Sequence, residues 1–579
     1  MQLNNLDASI GGAVARLDQQ QFGLRLWARD PSLWKEDAAH QRIISNSLGW
    51  LDSPVQMLDQ ALDLVEFSNE VRAQGFLHAV VLGMGGSSLC PDVCRLTFGT
   101  AEGNLELHVL DSTVPANVAH IAKEIDVPKT LFLVSSKSGG TIEPLSFYRY
   151  FYDLVRKHKG VAAGENFVAI TDPGTVLEKL AREQGFRRVF PGRPDIGGRF
   201  SALSNFGMVP AALAGVEIAT LLTRALEMRV ACSADVPLTE NPGVLLGAYL
   251  AEAARAGRNK ITFIMSAGTY SFGDWVEQLI AESTGKEGKG LVPVIREYIG
   301  TPDVYGQDRL FVRMALAEEK KRMVEKRLEA LEAAGHPVIR IDLQDHYDLG
   351  REFFRWEIAT VTAGALLGIN PFDQPNVQES KDITNRLLAD FSATGRLPEP
   401  EPDGEFEGIK VYCSSAKSPL AGGEGATPQQ DCRDCVAAFL TLAGPGSYIA
   451  LLPYLEPKSA HKASIQALRL HLRDGLKLAT TVGYGPRYLH STGQLHKGGA
   501  ARGLFVLITA DDKQDKPVPG EPYSFSILKQ AQALGDFEAL KSKGRPVIRF
   551  HLSVRVPGGL DQITTLFKSA VNKVLGWSG

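Results

Sequence analysis

"TLFLVSSKSGGTIEP", residues 130–144, is an apolar run that breaks into hydroxyls, two glycines and a lysine. A helix-like run, "LSFYRYFYDLVRKH" (145–158), follows at once. The stretch reads as a buried strand, a polar turn and a helix. Similar runs lie on both sides of it: "HAVVLG" (78–83), "LELHVLD" (105–111), "NFVAITD" (166–172) and "RRVF" (187–190). The amphipathic segments "PANVAHIAKEI" and "TVLEKLAREQG" separate them. Short β-rich runs alternating with helices predict an α/β fold, a parallel sheet with helices on both faces.

A chain of 579 residues is too long for one core, and two to four domains are expected. Residues 1–70 read as a helical segment, with "RLWARDPSLW" as a packing or interface stretch. Residues 71–240 hold the first sheet. A second α/β unit is expected over 241–395, with the strand "KITFIMS" and the helix "FGDWVEQLIAEST". "RLPEPEPDGEFEG" (396–408) reads as a linker. Residues 409–579 form a third unit.

The third unit resembles the second. "GHPVIRIDL" (335–343) recurs as "GRPVIRFHL" (544–552), and "DRLFVRMAL" recurs loosely as "RGLFVLITA". Order is kept, which is the mark of an internal repeat. Aligning Gln307 with Gln494 sets Asp303 opposite His490, so only the later copy has a histidine there.

Composition narrows the function. Hydrophobic residues are 44% and charged ones 22%, and formal net charge is −4. No basic surface advertises nucleic acid or a membrane. No run suits a membrane span, and the N-terminus lacks the pattern of a signal peptide. Six cysteines make no disulfide framework, so a reducing cytoplasm is expected. "CRDC" places Cys432 and Cys435 at CxxC spacing without a second pair, and buried or idle thiols are the expected reading. Cys90 and Cys94 read as packing residues.

Three turns carry chemistry. "GMGGSSL" (83–89) follows a strand and opens a helix, where glycines allow close approach of an anion. In "SSKSGGTIEP" the donors Ser136, Ser138 and Thr141 suit a phosphate monoester better than a helix cap, which needs one hydroxyl. No GxxxxGK[ST] points to a nucleoside triphosphate. "DIGGRFSALSNFG" holds Arg199 in a tight turn, where it could face an anionic intermediate. On a helix, Gln278 and Glu282 share a face.

Together these residues resemble phosphoglucose isomerase. The family's GGSxLG, SKTxxT, GGRFS, QxxxESxGK and NPFDQPGVExxK look like "GGSSLC", "SKSGGT", "GGRFS", "QLIAESTGK" and "NPFDQPNVQESK" here, in family order. Its HSxGQ looks like "HSTGQ" (490–494), but here it follows Lys381 instead of preceding it. Cys90 stands where the family has glycine. The likeness is closest to the isomerase portion of bifunctional transaldolase–phosphoglucose isomerase fusions. The pattern shows no eight-fold barrel, so transaldolase activity itself is not expected.

The resemblance implies two SIS domains and interconversion of glucose 6-phosphate and fructose 6-phosphate through an enediol, in glycolysis and gluconeogenesis. It implies that Gly86, Ser87, Ser136, Lys137, Ser138 and Thr141 hold the sugar phosphate. Glu282 would be the base, Arg199 would face the enediolate, and Gln278 and Gln374 would position substrate. Lys381 and His490 would assist ring opening. In family dimers that histidine comes from the partner subunit, so the third unit is expected to replace the partner and favour a monomer over a homodimer. No cofactor or metal is implied, and neither HExxH nor a second CxxC is present. Two alternatives stay open: added action on mannose 6-phosphate, and a non-catalytic SIS-domain sugar-phosphate sensor.

Overall fold

The computed structural model describes residues 7–413, 427–553 and 555–576. Residues 1–6 of the expected helical segment, and 414–426, 554 and 577–579 of the third unit, lie outside them. The first sheet contains β1 (His78–Gly83), β2 (Glu106–Leu110), β3 (Thr130–Ser135), β4 (Phe167–Thr171) and β5 (Arg188–Pro191). Its order is β2-β1-β3-β4-β5, all parallel. β3 and β4 are buried at every residue, as a strand covered on both faces must be.

The second sheet has β6 (Lys260–Met265), β7 (Val292–Val294), β8 (Arg309–Leu316) and β9 (Val338–Leu343), in the order β7-β6-β8-β9. The third has β10 (Gly404–Phe406), β11 (Ile409–Cys413), β12 (Tyr448–Tyr454), β13 (Ala479–Val482), β14 (Gly503–Ala510) and β15 (Val547–Leu552). Its order, β10-β11-β15-β14-β12-β13, contains the second sheet's order β13-β12-β14-β15 with two antiparallel strands added beyond β15. Registers also correspond. Lys260 pairs with Arg309 as Tyr448 pairs with Gly503, and Phe311 pairs with Val338 as Phe505 pairs with Val547. The sequence repeat is therefore a repeat of sheet topology.

The structure departs from the expected linker at its end. Residues 404–406 form β10, which pairs with β11 through Phe406 and Ile409, because Phe406 finds burial there. Cys432 and Cys435 are both buried, as expected: Cys432 is free, and Cys435 lies against Cys413.

The N-terminal helices Asp7–Gln19, Phe22–Trp27, Ala38–Ser45 and Ser53–Ala73 pack on the rest of the chain. The tryptophans of "RLWARDPSLW" are the anchors: the Trp27 indole donates to the Cys232 carbonyl at 2.9 Å, and that of Trp34 to the Val361 carbonyl at 2.8 Å. Burying an indole needs such an acceptor. Among the described residues no helix is long and apolar enough to cross a membrane.

The second and third units meet at a polar seam. Glu297, wholly buried, faces Arg309 at 3.4 Å and Arg473 at 3.8 Å, and accepts from Thr480 at 3.2 Å. A buried carboxylate persists only with such compensation.

Candidate active site

Turns at the carboxyl ends of the strands build the site. After β1 the chain forms a tight turn, Gly85–Ser87, before the helix Leu89–Phe98. The turn lies against a second one, Gly198–Phe200. A Cβ on Gly86 would stand 1.9 Å from the Gly198 carbonyl oxygen, so only glycine lets these backbones touch. Gly85 has φ +55° and lies under Gln278 and the His490 carbonyl.

Arg199, 3% exposed, is locked by four acceptors. Its guanidinium donates to Ser283 Oγ at 2.7 Å, to Gln374 Oε1 at 2.9 Å and to the carbonyls of Pro371 and Asp373 at 2.6 and 3.1 Å. It faces Glu282 Oε1 at 3.2 Å. Burial pulls Arg199 below its ordinary value, while Glu282 and Asp373 push the other way. The helix Phe272–Thr284 is buried almost throughout and presents Gln278 and Glu282 one turn apart, with Gln278 Nε2 donating to Glu282 Oε2 at 3.0 Å.

The same Gln278 Nε2 donates to the His490 backbone carbonyl at 2.8 Å. One amide thus ties the second unit's carboxylate to the third unit's histidine turn. The imidazole Nε2 of His490 meets Glu143 Oε1 at 2.9 Å, across 347 residues of sequence. Glu143 is almost completely buried at the start of the helix Ile142–Lys159. Burial would raise its pKa, but His490 and then Lys381 outweigh it, and Glu143 stays below the ordinary carboxylate range. Gln532, from the third unit's helix Phe525–Ser542, also donates to Glu143 Oε1 at 2.7 Å and is held in turn by Thr113.

A cavity of about 270 Å³ opens beside Glu143, His490 and Gln532, next to the cluster of Arg199, Gln278 and Glu282 that Gln278 ties to the His490 carbonyl. Ser138, Thr141, Glu143, Lys381, His490 and Gln532 are among its lining residues. That volume suits one small phosphorylated molecule. Ser136 stands behind, donating to Thr141 Oγ1 at 3.0 Å, with Ser138 Oγ at 3.4 Å from the same oxygen. Ser87 is buried at the Gly85–Ser87 turn. A larger cavity, about 420 Å³, lies at the seam between the second and third units, among Arg296, Lys462 and Arg469. It lacks the Ser–Gly–Thr loop of the smaller one, which is the candidate.

One expected ligand is elsewhere. The Lys137 ammonium is ion-paired with Asp172 and donates to the Arg193 carbonyl at 2.9 Å. Its charge anchors the loop to the neighbouring turns and is already matched by a carboxylate. The other expected residues come together around the cavity and the Arg199 cluster. Sequence reasoning missed Glu143, although it lies inside the stretch that suggested the site. It also missed Gln532 and Lys286. Burial, and then repulsion from Arg199, pulls Lys286 down to about 8, and it holds Asp373 in place beside Arg199 at 2.8 Å.

The third unit is pinned at several points. Gln494 Nε2 donates to the Gly285 carbonyl at 3.0 Å and to Asn376 Oδ1 at 2.9 Å, and its Oε1 accepts from the Asn376 backbone at 2.9 Å. "HSTGQ" therefore delivers a histidine with its first residue and docks with its last.

Residues 62–298 match the family model of phosphoglucose isomerase. The glucose-6-phosphate isomerase of Carboxydothermus hydrogenoformans is 29% identical over 402 residues, 59% of this chain and 85% of that protein. That of Campylobacter jejuni is 27% identical over 397 residues, 60% of this chain and 94% of the relative. Among solved structures, a hypothetical protein of Thermus thermophilus superposes with a TM-score of 0.55 at 26% identity, covering 67% of this chain and 99% of that one. The expected α/β fold class, with parallel sheets flanked by helices, stands.

Proposed function

We propose that this chain, which carries a phosphoglucose isomerase domain over residues 62–298, interconverts glucose 6-phosphate and fructose 6-phosphate within a single polypeptide. The observation that carries the reading is the double link at His490: ring to Glu143, backbone to Gln278 and so to Glu282. It supports a second acid/base group reaching from the third unit to the hydroxyl loop, on a turn whose backbone is tied to the amide that holds the base.

Each step then has a group. Ser136, Ser138, Thr141 and Ser87 hold the phosphate through hydroxyls and loop N–H groups, fixing the reacting carbons at a distance. For ring opening, His490 gives a proton to the ring oxygen as the C1 hydroxyl loses one, with Lys381 assisting. Glu143 keeps the imidazole oriented and stands beside it as a counter-charge. In the open aldose, Glu282 takes the proton from C2 and returns it to C1, while O2 gives up its proton and O1 gains one. Arg199 faces the charge that builds on the enediolate oxygens. Gln278 and Gln374 align the substrate.

The third unit in the partner's place favours a working monomer. A coupled assay with glucose 6-phosphate and mannose 6-phosphate tests the reading. Turnover of the glucose ester should dominate, and specific activity should stay constant on dilution. No turnover of either ester by folded protein would reject the isomerase reading.

A further inference from the structure

At the amino end of the first sheet, away from the proposed site, three side chains converge without a role in the reaction. His78 opens β1 and Glu106 opens β2, and parallel pairing sets them directly opposite. His108 lies two residues beyond Glu106 and so points to the same face. Nδ1 of His78 is 3.3 Å from Glu106 Oε2, and Nε2 of His108 is 3.7 Å from the same oxygen. One ligand atom from each residue fits within a 4.8 Å group.

These contacts are not good hydrogen bonds. The two imidazoles are only 15% and 13% exposed, yet His78 Nδ1 and His108 Nε2 are buried with no hydrogen-bond partner. Two buried ring nitrogens gathered round one carboxylate oxygen, both unsatisfied, call for a shared partner. A tetrahedral zinc ion with ligands at about 2.0–2.1 Å would separate its ligand atoms by about 3.3 Å. The observed separations from Glu106 are close to that spacing. Calcium and magnesium prefer an all-oxygen shell, whereas two imidazoles and a carboxylate suit zinc and its first-row neighbours.

We propose that His78, Glu106 and His108 form a three-ligand site for a divalent transition-metal ion of the zinc class. The ion would clamp β2 to β1. β2 is an edge strand bonded only to β1, so the ion would add a second link across that edge of the sheet. The distance argues for a structural ion. Five residue steps separate His78 from the turn end of β1, about 17 Å at strand spacing. The ion would therefore touch neither substrate nor Glu282.

The test uses the full chain, stripped of metal and titrated with Co²⁺ and with Zn²⁺. One equivalent of Co²⁺ should bind and give the visible absorption of a four- or five-coordinate nitrogen–oxygen site. Zn²⁺ should displace it and raise the melting temperature. Glu106→Gln, at an exposed side chain, and His108→Gln should each weaken binding at least ten-fold. Both should remove the thermal shift and leave isomerase turnover within two-fold. No stoichiometric binding to the unmutated chain, or binding unchanged in both variants, would overturn the site. Since the readout is spectral and thermal, it stands whether or not the chain proves to be an isomerase.

Discussion

The second and third units share a strand order and register but part company at the turn before their third strand. In the second unit that turn is Pro302–Val304, and Asp303 is exposed on it. In the third it is Arg487–His490, and His490 faces inward to Glu143. Their helices differ in the opposite sense. Phe272–Thr284 is buried along nearly its whole length and presents Gln278 and Glu282, whereas Ser459–Leu476 buries one face and exposes the other. On the proposed mechanism each copy keeps one half of a chemistry: the second holds the carboxylate, the third holds the imidazole, and the seam between them makes the halves one site.

Substitutions sharpen that contrast, beginning with the largest. Glu282→Gln should lower kcat about a thousand-fold, since an amide takes no proton, while a phosphorylated sugar inhibitor still binds. Steady-state rates beside calorimetry check this. Near-normal turnover would remove Glu282 as the base.

His490→Asn should lower kcat about a hundred-fold on the closed sugar. Single-turnover rates locate the loss at ring opening.

Glu143→Gln should cost about ten-fold in kcat by loosening the imidazole, and should also change the acid limb of stability. Because the folded carboxyl titrates below its ordinary value, its contribution is complete above the unfolded pKa of about 4.3. It is lost as pH falls through the lower folded value. Melting curves across acid pH should show this limb flattened in the variant.

Ser138→Ala with Thr141→Ala should raise KM about ten-fold with a smaller change in kcat, because two donors to a dianion are lost. The smallest effect belongs to the other copy. Asp303→Asn should leave turnover within two-fold, and a large loss there would mean the two turns are not so unlike.

Much of this was legible in the chain. β1 to β5 stand where apolar runs of β-formers end in glycine or hydroxyls, because buried parallel strands need that pattern. The repeat was visible because β9 and β15 kept "PVIR" at their starts. What escaped was long-range pairing. Glu143 looked like one acid in a helix's first turn, and only folding brings the imidazole from 347 residues away to it. Lys137 looked like a phosphate ligand until Asp172, beyond β4, claimed its charge. Cys413 lies against Cys435, a contact that local spacing to Cys432 disguised. Phe406 shows the reverse limit: proline and acid around it suggested a tether, and a single aromatic side chain was enough to make an edge strand.

The placement of His490 in cis also has a consequence for inheritance. Where a site borrows a residue across a subunit boundary, one defective subunit spoils its neighbour, and mixed populations lose more activity than the damaged fraction alone predicts. On the proposed mechanism, a chain that brings its own histidine to its own glutamate is insulated from its siblings. Cells holding intact and His490-substituted copies side by side should show activity in direct proportion to the intact share, with no dominance of the defective form.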